Sequence, residues 1–396
     1  MRARLLILHR WLGLATAVFL VVAGLTGALL AFEEPLDRWL APQLYQPLTQ
    51  QGPLATPQRL REIAEAQLAP RAQIDTLPLR IEAGRTVRLP VSPRTDPQGG
   101  QPFRLDYDEI YVDPRSGEIV DRRDREALAL RAENLMPLTF KLHHSLALPG
   151  VFGALLLGVV ALAWTLDCFI GAALTLPRAP PRWRRWFAAW RIKLSAGGAR
   201  ATYDLHRAGG LWLWLALLLF AWSSVMFNLN AQVYRPLMAL FFEFDDSWSA
   251  VPARGDPAQP PALDWSAAHA AGQRAMAELA RQQGFVVDWE DSLRLNRVKR
   301  TYAYLVHSSA DLRSDAGNTA VLIDADSGVP LGHWLPTGGK PGNTVSNWLG
   351  ALHMAQVFGW PWRVFVFALG MATALLAITG VAIWWRKRRS GLRRRR

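Results

Sequence analysis

The chain has 396 residues, a formal charge of +13, an apolar fraction of 51% and one cysteine, Cys168. A single cysteine excludes a disulfide scaffold, a thiolate zinc site, a Cys-ligated iron–sulfur cluster and thioether-attached haem. The charge would suit a nucleic-acid binder, but its placement along the chain argues for a membrane and against a nucleic-acid partner.

The first uncharged run lies between Arg10 and Glu33 and predicts a transmembrane helix over 1–32. It follows Met-Arg-Ala-Arg, as a signal peptide would. The run is longer than the about 7–15 residues of a signal h-region, and no Ala-x-Ala site precedes Glu33, so an uncleaved anchor is expected. Residues 33–142 read as a first exported domain. Within it, 57–69 predicts a helix with Thr56 as N-cap and Pro57 at N1. Strand-like runs follow at 85–91 and 103–112. A second apolar run predicts a transmembrane helix over 143–176, and a basic loop occupies 177–206. The run after Arg207 predicts a third transmembrane helix over 207–229. Residues 230–352 form a second exported domain, with a helix over 264–283 capped by Asp264 and strands at 298–307 and 318–324. Pro/Gly-rich stretches at 90–102, 251–262 and 336–342 punctuate the two domains. A fourth transmembrane helix is expected over 353–385, before a basic tail, 386–396.

The charge now has a place. The segments 1–11, 177–207 and 386–396 hold 19 Lys/Arg against one acid, Asp204, a balance of +18 that leaves −5 for the rest of the chain. All three fall on one side of a four-span topology. By the positive-inside rule that side is the cytoplasm, so both termini are cytoplasmic and the two long loops face the periplasm of a bacterial-type cell. Trp11, Trp183, Trp186, Trp360, Trp362, Trp384 and Trp385 sit near the ends of the spans, as an interfacial belt requires.

The two halves repeat one another. Leu8-His9-Arg10-Trp11-Leu12-Gly13-Leu14 parallels Leu205-His206-Arg207-Ala208-Gly209-Gly210-Leu211, and each opens an outward span. Late in each loop comes an Asp-x-x-Ser-Gly turn flanked by β-branched residues: Asp113 to Gly117, and Asp324 to Gly328. Leu142-His143 and Leu352-His353 then open the inward spans. The common order indicates duplication of a span–domain–span unit.

This topology puts His9 and His206 at the cytoplasmic ends of the spans and His143 and His353 at the periplasmic ends. Ionisable groups at membrane depth mark functional sites. Paired imidazoles on facing helices suit the axial positions of haem iron, and a four-helix bundle can hold a porphyrin between its helices. Zinc would want three or four ligands at short spacing. Two haems, one near each face, would divide the depth of about 33 Å that 22 helical residues span. His143 is preferred to His144 because the repeat aligns it with His353. Arg10 and Arg207 are candidate partners of haem propionates, although each is also a plain positive-inside anchor. No nucleophile, Walker or dinucleotide motif is present, so no catalytic acid or base is assigned.

On Tyr203-Asp-Leu-His-Arg-Ala-Gly-Gly-Leu-Trp212, Ala221-Trp-Ser-Ser-Val-Met-Phe-Asn-Leu229, Val233-Tyr-Arg-Pro236, Trp164-Thr-Leu-Asp-Cys-Phe-Ile-Gly171 and Leu142-His143, the chain resembles the PepSY-associated transmembrane family, PiuB/FoxB-like. The turn at Asp113-Pro114-Arg115-Ser116-Gly117 resembles the PepSY hairpin, whereas Asp324-Ala325-Asp326-Ser327-Gly328 lacks its proline. The resemblance implies a membrane α-helical protein with two exported α+β PepSY-like domains. It also implies a bacterial inner-membrane, b-type dihaem oxidoreductase of iron uptake. Such a protein passes electrons from a quinol or a cytoplasmic reductase to ferric siderophores in the periplasm and releases Fe²⁺. The competing expectations are a non-enzymatic PepSY module that binds or restrains a periplasmic partner, and a transporter. Parallel halves and the lack of a broken span in the sequence pattern count against the transporter.

Overall fold

The computed structural model describes residues 1–177, 182–254 and 259–393. Residues 178–181 of the basic loop, 255–258 of the Pro/Gly-rich stretch and 394–396 of the basic tail lie outside the described residues. In chain order the helices are α1 (Arg2–Leu30), α2 (Glu33–Leu40), α3 (Pro57–Leu68), α4 (Leu135–Ser145), α5 (Phe152–Thr175), α6 (Arg182–Trp186), α7 (Gly198–Trp212), α8 (Trp214–Asn228), α9 (Arg235–Met238), α10 (Trp265–Gln283), α11 (Pro341–His353) and α12 (Gly359–Arg393). The strands are β1 (Ala72–Ile74), β2 (Thr76–Pro78), β3 (Val87–Pro93), β4 (Glu109–Val112), β5 (Ile119–Arg123), β6 (Val287–Asn296), β7 (Thr301–Ser308), β8 (Thr319–Asp324) and β9 (Pro330–Trp334). Two compact units result. One comprises Met1–Glu33, Thr139–Leu240 and Leu352–Arg396, and the other Glu34–Leu138 and Phe241–Ala351.

The first unit is helical. α1, α5 and α12 are each long and apolar enough to cross a membrane. The third span differs from the single helix expected over 207–229. α7 and α8 meet at 69°, so together they form a broken segment. The helix fails at Leu213 (φ −99°, ψ 3°), just after the Gly209-Gly210 pair that weakens it. Beyond the break, the Trp214 indole N–H donates to the Cys168 carbonyl on α5 at 2.9 Å, which fixes the start of α8. The sequence-based argument from unbroken spans is corrected accordingly.

Helices in this unit approach closely where side chains are smallest. A Cβ on Gly24 of α1 would stand 2.6 Å from the Gly370 carbonyl of α12, and one on Gly370 would stand 2.5 Å from the Gly24 carbonyl. Small residues of this kind let apolar helices gain dispersion contact where no hydrophobic drive separates helix from lipid. α5 packs on α8 as α1 packs on α12. The first span of each half therefore lies against the second span of the other.

A second boundary also moves. His143 and His353 do not open their spans. Each lies at the end of a preceding helix, α4 or α11. Left-handed backbone at Leu146 and Ala147 (φ +55° and +54°), and at Ala355 and Phe358 (φ +54° and +57°), turns the chain before α5 and α12 begin. The helices expected over 143–176 and 353–385 are each a helix end, a turn and a span.

The second unit contains two antiparallel sheets, ordered β1-β3-β4-β5 and β2-β6-β7-β8-β9. α3 starts at Pro57, with the Thr56 hydroxyl accepting from Arg59 N–H. It buries Leu60, Ala64 and Leu68 against Ile74, Leu89 and Ile110 of the first sheet. α10 starts after Asp264, whose carboxylate accepts from Ala267 N–H. It buries Ala268, Ala271 and Met276 against Leu293, Tyr302 and Val321 of the second. The two sheets are not independent. β2, from the first loop, pairs with β6 in the register Thr76 to Arg294, so the boundary expected between two separate domains is crossed by a strand. In the first sheet the wholly buried Arg123 donates to Glu109 at 2.6 Å and to Asp37 of α2 at 2.9 Å, which ties that helix to β5.

The repeated turns match in detail. Asp113 Oδ1 accepts from Arg115 and Ser116 N–H, and Asp324 Oδ1 from Asp326 and Ser327 N–H. Gly117 (φ +75°) and Gly328 (φ +74°) complete them, in the left-handed region that favours glycine. Burial alone pushes the Asp113 carboxyl up. The N–H groups of Ser116, Thr49 and Arg115 and the Thr49 hydroxyl outweigh it and hold it well below the usual carboxylate range. A depressed carboxylate stabilises above its unfolded pKa of about 3.9, and that stability is lost as pH falls through the folded value. Asp113→Asn is therefore expected to destabilise the protein by about 1–3 kcal/mol at pH 7 and to flatten the acid-side loss below pH ~4. Thermal unfolding of the two proteins across pH 2–7 checks both.

Candidate functional site

The helical unit brings the four sequence-selected histidines together as two pairs. His9 of α1 faces His206 of α7, with ring centres 6.1 Å apart and ring planes at 52°. His143 of α4 faces His353 of α11, again at 6.1 Å, with planes at 60°. His144 turns away. It stacks on Phe140 and its Nδ1–H donates to the Phe140 carbonyl. The remaining histidines are held in the other unit by ion pairs or hydrogen bonds: His269 with Glu290, His307 with Asp288 and His333 with Asp245.

Each paired ring has one nitrogen committed. His9 Nδ1–H donates to Asp167 Oδ1 at 2.7 Å, and His206 Nδ1–H to the Leu376 carbonyl at 3.0 Å. His143 Nδ1 lies 3.1 Å from the Thr26 hydroxyl, and His353 Nδ1 lies 2.7 Å from that of Ser223. The Thr26 and Ser223 hydroxyls also reach the Val22 and Phe220 carbonyls at 2.6 and 3.1 Å. For His9 and His206, whose partners are a carboxylate and a carbonyl, a neutral ring carries its proton on Nδ1 and the lone pair on Nε2. Among the described residues no hydrogen bond occupies any of the four Nε2 atoms.

The spacing discriminates between arrangements. Two imidazoles in direct hydrogen bond have ring centres about 5 Å apart. Two imidazoles joined through one metal ion, each nitrogen about 2 Å from it, have centres about 6 Å apart. Both pairs have the second spacing, which is also that of an ordinary tilted ring contact. Among the described residues no three His, Cys, Asp or Glu side chains gather as a closed zinc site would need. Two opposed imidazoles with fixed far nitrogens instead fit the axial positions of a planar iron macrocycle.

Glycines bring the rings against neighbouring helices. A Cβ on Gly27 would meet His143 Cε1 at 2.8 Å, one on Gly380 would meet His206 Cε1 at 3.1 Å, and one on Gly171 would meet His9 Cε1 at 3.6 Å. A cavity of about 290 Å³ surrounds the His9–His206 pair, near the lower end of cofactor pockets. Trp164, Trp214 and Leu217 line it, with Arg10, Arg207 and Lys387 among its polar walls. Arg207 is already engaged by Asp204 at 2.9 Å and by the Ala189 carbonyl. Phe220 stacks on His353 at 4.8 Å, and Phe227 meets the same ring edge-on.

Sequence reasoning missed the groups that hold the rings. The interval from His9 to His206 also carries Thr26 onto Ser223. Extending the repeat alignment along the span would have found both. Asp167 carries no motif of its own, and its place one turn before Gly171 on the same helix face was the available signal.

These features define a duplicated helical membrane protein that carries paired imidazoles and an associated α+β unit. The family described as the PepSY-associated TM region matches residues 6–387, nearly the whole chain, and the chain belongs to that family. No curated protein matches it.

Gly27→Ala is expected to displace the His143 ring and destabilise the protein by about 1–3 kcal/mol, as overpacking does. Gly13→Ala, where a Cβ would meet nothing within 4 Å, is expected to be neutral or stabilising by up to about 1 kcal/mol. Unfolding of the two variants in detergent micelles separates them.

Proposed function

We propose that the protein is a bacterial inner-membrane b-type dihaem oxidoreductase of the PiuB/FoxB-like kind. In this reading it passes electrons to the periplasm, reduces ferric siderophores and releases Fe²⁺ for uptake. The observation that carries the reading is the pair of repeat-equivalent imidazole sites, each with ring centres 6.1 Å apart and Nδ1 committed. Bound haem would supply one-electron chemistry.

The chain's own residues perform the rest. His9 and His206 would hold one group and His143 and His353 the other. Asp167, the Leu376 carbonyl, Thr26 and Ser223 fix the ring orientations. Arg10 and Lys387 supply positive charge to propionates at the basic end. Phe220, Phe227, Trp164 and Trp214 exclude water. Along α1, His9 and Thr26 stand about 26 Å apart at 1.5 Å per residue, so two centres share a depth that one would not bridge. The positive-inside rule puts the His9–His206 end at the cytoplasm, where a quinol or a cytoplasmic reductase delivers electrons. The α+β unit then lies in the periplasm, where the chelate docks. Fe²⁺ is held far less tightly than Fe³⁺ by hard oxygen ligands, so reduction itself is the release step.

Purified protein is expected to show the reduced spectrum of b-type haem at two haems per chain. His206→Ala and His353→Ala are each expected to lose about one haem per chain and to abolish ferric-chelate reduction by membrane vesicles. A colourless wild type with normally behaving His→Ala variants overturns the reading and favours a PepSY module that binds a periplasmic partner.

A further inference from the structure

The two halves of the helical unit differ in the group that meets the far nitrogen of the His9–His206 pair. The interval that takes Gly171, beside His9, to Gly380, beside His206, also takes Asp167 to Leu376. The second half offers its histidine Nδ1–H a backbone carbonyl at 3.0 Å, and the first half offers a carboxylate at 2.7 Å. In the other pair both Nδ1 atoms meet neutral hydroxyls. One imidazole of the four therefore has an anion on its far nitrogen.

We infer that Asp167 is a positioning residue that lowers the reduction potential of the His9–His206 centre below that of the His143–His353 centre. The inference rests on the dihaem reading. A carboxylate that accepts the Nδ1 proton draws the ring toward imidazolate and strengthens Nε2 as a donor. Asp167 is largely shielded from solvent, with a side-chain exposure of 14%, so its charge is poorly screened. Both effects favour Fe³⁺ over Fe²⁺, because the oxidised iron carries one more positive charge. The hydroxyls of Thr26 and Ser223 exert no comparable bias.

The other charges near the site are bound elsewhere or stand in the cavity wall. Arg200 and Arg207 share the one carboxylate of Asp204. Arg10 and Lys387 line the same cavity and match the two carboxylates that a haem carries. Asp167 is the charge in direct contact with a ligand ring.

The consequence is a direction. An electron that arrives at the His9–His206 end moves down the gradient to the other pair. Haem held by the two pairs would exchange one electron, the group at His9–His206 being oxidised by one unit as the group at His143–His353 is reduced by one.

Redox titration of the haem-loaded wild type in detergent, followed by absorption, is expected to resolve two one-electron midpoints. Asp167→Asn should raise only the lower one and shift its ferrous/ferric ratio at least tenfold, ~59 mV for one electron. His353→Ala removes the second centre and should leave the lower midpoint in place. That measurement holds whether or not the Asp167 variant folds. Coincident midpoints in the wild type, survival of the upper midpoint in His353→Ala, or an Asp167→Asn protein with both midpoints unmoved overturns the inference and leaves the dihaem reading standing. A wild type without haem absorption overturns that reading, and the inference falls with it.

Discussion

The hydrogen bond on the far nitrogen of each paired histidine governs the helical unit. An imidazole in an apolar surrounding must satisfy its N–H, because an unpaired polar group there costs several kcal/mol. In every case the partner is on another helix: Asp167 on α5, Leu376 on α12, Thr26 on α1 and Ser223 on α8. The same bond therefore joins two helices and sets a ring plane. Gly27 and Gly380 leave room for a ring close to a helix backbone, where a Cβ would stand 2.8 Å from His143 and 3.1 Å from His206. Packing and chemistry are one constraint at these positions.

Duplication explains why the constraint appears twice at each end. Residues equivalent in the two halves meet across the pseudo-symmetry relation: His9 meets His206, and His143 meets His353. The departures from symmetry are correspondingly informative. α1 is a continuous helix, whereas its counterpart breaks at Leu213. Gly27 corresponds to Ser224, and Asp167 to Leu376.

Much of this was legible in the sequence, for identifiable reasons. Uncharged runs report helices that need no polar partner, so α1, α5 and α12 were visible. Thr56 and Asp264 were legible as caps because a short side-chain oxygen before a helical pattern has few other uses. The repeated His positions could be paired by order alone. What stayed hidden depends on three-dimensional neighbours. The break at Leu213 is stabilised by the Trp214 bond to Cys168 on another helix. The turns after His143 and His353 use left-handed Leu, Ala and Phe, residues that carry no turn signature. β2 is three residues long, and its partner lies in the other loop, so neither periodicity nor local turn chemistry could place it.

That short strand has a consequence for how the protein is made. Thr76–Pro78 is synthesised long before Asn296 to Val287, the strand it flanks, leaves the ribosome. The second sheet therefore gains its outer strand from a segment already on the far side of two further spans in the chain. Its closure is a contact of very long sequence separation, which is slow to form because the intervening loop entropy must be overcome first. Neither half of the duplicated chain can complete the α+β unit alone. The exchange of one strand makes the two halves a single cooperative object, much as a swapped segment commits two separate subunits to a dimer.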